Sequence, residues 1–286
     1  MGIVIFDGLA YGMLLFLIGV GLSITMGLMN FVNLAHGAFA MVGGYVAALA
    51  MSRLQVPFVA SLALAFISAA VVGALLEFVF FRRLYRAHPL DHVLLSIGIV
   101  FVFVAGGTYL FGPTMQPFTA PEWLRGQISL LGMDVGAYRL FLIIVGFVVL
   151  AALLLLINKT RYGAMVRAAV DNQRVAAGLG VRVDRLFFLT FSFGCGLAGL
   201  GGALGLGMLG LDPSFPLKYM IYFLIVISVG GTTTITGPFF ASILLGIADV
   251  AGKYFVPSIG GFIIYSIMVL VLIFKPEGLF TRSARR

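Results

Sequence analysis

From Gly8 to Ser52 the chain carries no charged side chain, and from Tyr219 to Ala248 it again carries none. Apolar stretches of that length belong in a lipid bilayer, whose core of about 30 Å takes about 20 apolar residues per helix. Divided at their small and polar centres, the two stretches give runs at about 8–28, 34–51, 218–235 and 238–255. Five more runs fall at about 57–80, 93–111, 140–157, 187–210 and 259–274. Composition agrees: of 286 residues 62% are hydrophobic and 10% charged, against roughly 45–50% and 25% in soluble domains. So little polar surface cannot cover a water-soluble fold. A soluble enzyme, a DNA-binding domain and a disordered protein are excluded.

In lipid the backbone must satisfy its own hydrogen bonds, which leaves helices or a closed barrel. A barrel would alternate polar and apolar residues in ten-residue segments; these runs are continuous. The expected fold is all-α: a polytopic integral membrane protein with about 8–10 transmembrane helices, some short or broken. Residues 1–286 read as one membrane domain. The opening MGIVIFD lacks a basic region before its apolar run, so it reads as a retained span and not a signal peptide.

The net charge of +8 is concentrated in three blocks. Arg82, Arg83 and Arg86 form the first. Lys159, Arg161, Arg167, Arg174, Arg182 and Arg185 form the second, and Lys275, Arg282, Arg285 and Arg286 the third. Loop 112–138 holds only Arg125, against Glu122 and Asp134. The positive-inside rule places the basic blocks and the C-terminus in the cytoplasm, and loop 112–138 and the N-terminus outside. A nucleic-acid partner would need a solvated basic face, and none is visible.

Two junctions depart from ordinary loops. One reads Asn30-Phe-Val-Asn33-Leu-Ala-His36-Gly37 and the other GGTTTITGP, from Gly230 to Pro238. Irregular backbone at membrane depth is tolerated where protein or a water-filled cavity surrounds it, and paired interruptions point to a substrate path. The competing reading is a pair of tight turns with small residues for close packing. The pathway reading selects Asn30, Asn33, His36, Gly37, Gly230, Gly231, Thr233 and Gly237. His36, with Asn33 three residues earlier on the same face, either bonds substrate or satisfies backbone.

The stretch 158–186 is long for a connection between spans. From Arg167 to Leu179 it is rich in alanine and reads as a short helix, with Gly180 as its stop. Such a helix either docks a partner or lies on anionic lipid. Arg167 and Asp171 stand at i and i+4, a pair worth only about 0.2–0.5 kcal/mol. Glu77 with Arg82, and Asp249 with Lys253, read as neutralised pairs near the interface. Asp7, Asp212 and Lys218 read as anchors. The single cysteine, Cys195, can form neither an internal disulfide nor a metal site. No catalytic or metal-binding motif appears, and Gly252-Lys253-Tyr254 lacks the Ser or Thr of a phosphate loop. The chain does not read as an enzyme.

The stretch from Tyr11 to Ala47, with Asn33, Ala35, His36 and Gly37 followed by Gly43-Gly44-Tyr45, resembles branched-chain amino-acid ABC-transporter permeases of the LivH-like branch. Arg167-Ala168, Asp171-Asn172, Ala176, Gly180-Val181 and Asp184-Arg185 resemble that family's coupling loop. The Gly-Gly turn before Gly237-Pro238 and the ending Lys275-Pro276-Glu277-Gly278-Leu279-Phe280 complete the series. Two positions depart from it: Thr233 replaces a glycine of the turn and Ala241 a later one, which points to a more polar cargo.

The resemblance implies a permease subunit of an ATP-binding-cassette importer in the bacterial cytoplasmic (inner) membrane. It implies a homologous permease in a heterodimer, two cytoplasmic ATP-binding subunits and a periplasmic or extracellular substrate-binding protein. ATP would be used by those partner subunits, and this chain would hold no cofactor or metal. Arg167, Asp171, Asn172, Ala176 and Gly180 would couple it to the ATPases. The cargo would be a branched-chain amino acid, urea, a short amide or a small carboxylate. The rival is a stand-alone ion-coupled secondary transporter using Asp249 or Glu77, which requires a buried unpaired carboxylate. A hydrolase built on His36 with Ser23 or Ser228 is a remote third.

Overall fold

The structure is a computed structural model and describes residues 1–29, 33–85, 87–130, 132–231, 234–275 and 278–279. The expected all-α chain is present. Its elements are α1 (Gly2–Met29), α2 (His36–Ser52), α3 (Phe58–Leu76), a π-helical turn (Glu77–Phe81), α4 (Arg82–Leu84) and α5 (Pro89–Phe111). A hairpin of β1 (Gln127–Leu130) and β2 (Met133–Gly136) follows. Then come α6 (Ala137–Lys159), α7 (Arg161–Asp171), α8 (Gln173–Gly178), α9 (Val183–Gly205), α10 (Phe215–Gly230), α11 (Thr236–Phe255) and α12 (Gly260–Phe274).

Among the described residues six apolar helices are long enough to cross a membrane: α1, α3 continued through α4, α5, α6, α9 and α11. Three are shorter, α2, α10 and α12. The 17 residues of α2 rise only about 25 Å, less than a full crossing. The expectation of eight to ten spans, some short or broken, therefore meets nine apolar helices among the described residues. The hairpin departs from a purely helical fold. It pairs Gln127 with Gly136 and Leu130 with Met133 in antiparallel register, and Gly132 at φ +78° supplies the left-handed residue its turn needs.

The most buried spans are α1 and α9, while α3, α5 and α6 turn much of their surface outward. That outer surface is apolar: Ile67, Val71 and Leu75 on α3, Phe101 and Val102 on α5, and Ile144 and Val148 on α6. Such faces suit lipid. Between the central helices small residues permit backbone contact, since lipid tails give apolar side chains no reason to prefer one another. A Cβ on Gly21 of α1 would sit 2.8 Å from the Gly194 carbonyl carbon of α9.

One end of the bundle gathers a distinct apolar cluster. Leu28 at the end of α1 joins Val166 and Ala169 of α7, Ala176 of α8, and Leu186 and Phe187 of α9, with Tyr85 and Ile157 against them. This cluster seats the basic stretch 158–186 on the spans.

Candidate transport site

The first interruption lies between α1 and α2. Asn33 is 1% exposed and its Oδ1 accepts from the Ala35 amide at 3.0 Å. Its Nδ2 has no hydrogen-bond partner among the described residues. His36 is 2% exposed and donates from Nε2 to the Ile18 carbonyl at 2.9 Å, in the middle of α1. That bond fixes the tautomer and ties the start of α2 to α1. Gly37 lies against Pro216 of α10, where a Cβ would meet the proline Cα at 3.1 Å. No described side chain caps the start of α2. A helix N-terminus thus opens in the buried interior, where its dipole favours negative charge. Asn30 lies outside the described residues.

The second interruption is built differently. Gly231 ends α10 at φ +84°, its amide donating to Ile227 O at 2.7 Å. Gly230 lies so close to Pro238 that a Cβ would come within 2.5 Å of the proline nitrogen. The Gly237 amide donates to Thr234 Oγ1 at 3.2 Å. Gly278 packs on Gly231, and the Leu279 amide donates to Val229 O at 2.8 Å. Thr233 lies outside the described residues. Gly37 touches Pro216 at one end of α10 and Gly230 closes the other, about 21 Å of helix away. The expected path residues therefore form two separate groups: Asn33, His36 and Gly37, and Gly230, Gly231 and Gly237. The second group makes a close-packed turn.

The basic stretch forms two helices where the sequence suggested one. Asn172 takes extended backbone (φ −156°, ψ 105°) and its Oδ1 accepts from the Arg174 and Val175 amides at 3.0 and 3.1 Å. A short side-chain acceptor thereby ends α7 and caps α8. Gly180 stops α8 as expected. At φ +89° its amide donates to Ala177 O, and the Val181 amide to Ala176 O, a paired C-terminal cap. Ala176 is buried beneath, while Asp171, Asn172 and Gly180 are exposed. Arg167 is exposed too, but its guanidinium donates to the Ile157 carbonyl and not to Asp171. A backbone acceptor at the end of α6 outcompetes the weak i,i+4 pair. Beside these polar groups stand exposed apolar ones, Val170, Val175 and, at 78% exposure, Leu179. Gln173 Nε2 donates to the Leu28 carbonyl at 3.1 Å, binding α8 to the end of α1.

A family model described as branched-chain amino acid transport system / permease component matches residues 4–272. The chain belongs to this permease family. The high-affinity branched-chain amino acid transport system permease protein BraD of Pseudomonas aeruginosa is 26% identical over 96% of this chain and 94% of its own length. The corresponding LivH of Escherichia coli is 24% identical over 97% of this chain and 94% of its own. LivM of Escherichia coli, also named as a permease protein of that system, is 26% identical over 93% of this chain and 68% of its own. No solved structure matches. The chain is thus a multi-pass transport permease.

Glu77 and Asp249, which the sequence placed as neutralised pairs near the interface, are both buried in this permease. Glu77, in the π-helical turn, is fully buried and accepts a hydrogen bond from Tyr85; its Oε2 has no partner among the described residues. The expected partner, Arg82, lies instead over the Phe78 ring at 6.0 Å. Asp249 does pair with Lys253, at 2.6 Å, but it is buried in the helix packing and not at an exposed edge. A π-turn is frequent at functional positions, yet nothing in residues 77–85 signals one to a hydropathy reading. The two acids expected to be anchors do pair, Asp7 with Arg139 and Asp212 with Lys218. Partial burial alone would raise the Asp212 carboxyl; hydrogen bonds from Lys218 and Ser214 outweigh it and hold the group below its usual value.

Proposed function

We propose that this permease is the membrane subunit of an ATP-binding-cassette importer for branched-chain amino acids or related small polar solutes in a bacterial cytoplasmic membrane. A homologous permease, two cytoplasmic ATP-binding subunits and an external substrate-binding protein complete it. The basic blocks and the C-terminus lie on the ATPase side, and the hairpin loop and N-terminus on the binding-protein side. ATP is hydrolysed by the partners, and this chain holds no cofactor.

The observation that carries the reading is the Gln173–Leu28 bond. The exposed face of α7 and α8, with Arg167, Asp171, Asn172 and Leu179, offers the ATPases a mixed polar and apolar surface. Ala176 and Gly180 shape α8 beneath and behind that face. A push on α8 passes through Gln173 to the end of α1, and α1 leads directly into the Asn33–His36 interruption. Closure of the ATPases shifts the permease between two states only if they bind one state more tightly. His36, fixed to Ile18, keeps α2 in register with α1 as the path around Asn33 and Gly37 opens to alternate sides. Gly230, Gly231 and Gly237 serve as the joint about which α10 and α11 move.

The test is uptake of labelled leucine by proteoliposomes holding the permease pair and ATPases, with binding protein outside. Uptake that needs internal ATP and survives an ionophore is expected. Uptake without ATP that collapses with the ionophore would establish an ion-coupled carrier instead.

A further inference from the structure

Asp249 sits at a meeting of four helices. Its carboxylate is 1% exposed, and Lys253, one turn along α11, donates to Oδ2 at 2.6 Å. The second oxygen, Oδ1, has no hydrogen-bond partner among the described residues. A buried carboxylate kept for architecture alone would be expected to satisfy both oxygens, because each unmet acceptor is costly. Tyrosines close around the group. Tyr11 of α1 lies under the Lys253 ammonium, 5.9 Å from ring centroid to Nζ. Tyr222 of α10 and Tyr265 of α12 face each other at 6.1 Å, and Tyr11 and Tyr222 are within electrostatic reach of Asp249.

This face is unlike the outer surface of α3, α5 and α6. Where those present Leu, Ile, Val and Phe, this one presents half-buried Tyr219, Tyr222 and Tyr265 and a Lys253 side chain that is 51% exposed. Half-buried phenols and a half-exposed ammonium suit a polar boundary and not lipid tails. The charges are also selective. A lone cation approaching Oδ1 meets the repulsion of Lys253, and a lone anion that of Asp249. A molecule that carries both charges on one carbon can lie against the pair with its signs reversed, so that each repulsion is offset by a closer attraction.

We propose that Asp249 and Lys253 form a binding dyad for the zwitterionic head of an α-amino acid. The cargo ammonium donates to Asp249 Oδ1, its carboxylate accepts from the remaining N–H groups of Lys253, and the phenols of Tyr222 and Tyr265 border the site. The assignment rests on the reading of the chain as an amino-acid permease and names the residues that recognise the cargo.

The experiment compares Asp249→Asn, Lys253→Met and the double variant in the reconstituted complex, reading ATP-driven uptake of labelled leucine and thermal unfolding. A merely structural pair behaves as a unit: either single change destabilises, and the double change restores both stability and uptake. The dyad predicts that the double variant regains the wild-type unfolding temperature while uptake stays at least tenfold down. Wild-type uptake in the double variant overturns the proposal. If that variant does not fold, Tyr222→Phe decides: uptake reduced about threefold supports the site and unchanged uptake overturns it. A wild-type complex that carries only solutes lacking one of the two charges, but does so with ATP, overturns the dyad and leaves the importer reading standing. A wild-type complex with no ATP-driven uptake of any solute overturns the importer reading and the dyad with it.

Discussion

The α1–α2 and α10–α11 junctions both let the chain turn between apolar helices, but they treat their polar groups in opposite ways. At the first, Asn33 Nδ2 is buried without a partner among the described residues, and no described side chain caps the start of α2. At the second, Gly231 bonds Ile227, Thr234 bonds Gly237 and Leu279 bonds Val229. A turn whose described groups pack closely and bond one another has little left there to offer a solute. A buried junction with an amide that no described residue satisfies, and a helix dipole beside it, does. The contrast separates a path from a joint, although both stretches are uncharged and rich in small residues.

The largest effect is expected at the joint. Gly230→Val places a side chain on the Pro238 backbone, where even a Cβ comes within 2.5 Å of the nitrogen, and overpacking of this kind costs about 1–3 kcal/mol or more. Size-exclusion chromatography and thermal unfolding in detergent should show loss of folded protein. A folded, fully active Gly230→Val would place the joint in an open cavity. The path should respond in the opposite sense. Asn33→Leu removes the bond to Ala35, about 1 kcal/mol, but also the unpartnered Nδ2, about 1–3 kcal/mol. Unfolding temperature should therefore hold or rise while ATP-driven uptake falls at least tenfold. Normal uptake would take Asn33 out of the path. A smaller effect is expected at Gly180, which has open space around it but φ of +89°. Gly180→Ala should cost about 1–2 kcal/mol locally and lower solute moved per ATP hydrolysed severalfold, read from paired uptake and phosphate release. An unchanged ratio would remove α8 from the coupling route.

The helices were legible because lipid imposes one rule on every span: apolar side chains and internally bonded backbone. The Gly180 stop and the Asp249–Lys253 pair were legible because both are local, set within a turn of helix. The Gln173–Leu28 bond joins residues far apart in sequence and leaves no local trace. Glu77 turned to Tyr85 because a π-helical turn re-aimed it, and Arg167 turned to Ile157 because α6 ends beside α7. Nor could the sequence separate the two interruptions. Hydropathy marks where a helix breaks, but it carries no record of which polar atoms find partners there.

The most direct measurement is the accessibility of the two junctions through the transport cycle. In a Cys195→Ala background, Asn33→Cys and Thr234→Cys would each be assembled with the partner permease and ATPases. Alkylation by a charged thiol reagent would then be timed with and without nucleotide trapped on the ATPases. The account predicts that reactivity at position 33 changes at least tenfold between the two states, while reactivity at position 234 stays constant. Equal, state-independent rates at both positions, or a nucleotide-dependent change confined to position 234, would contradict it.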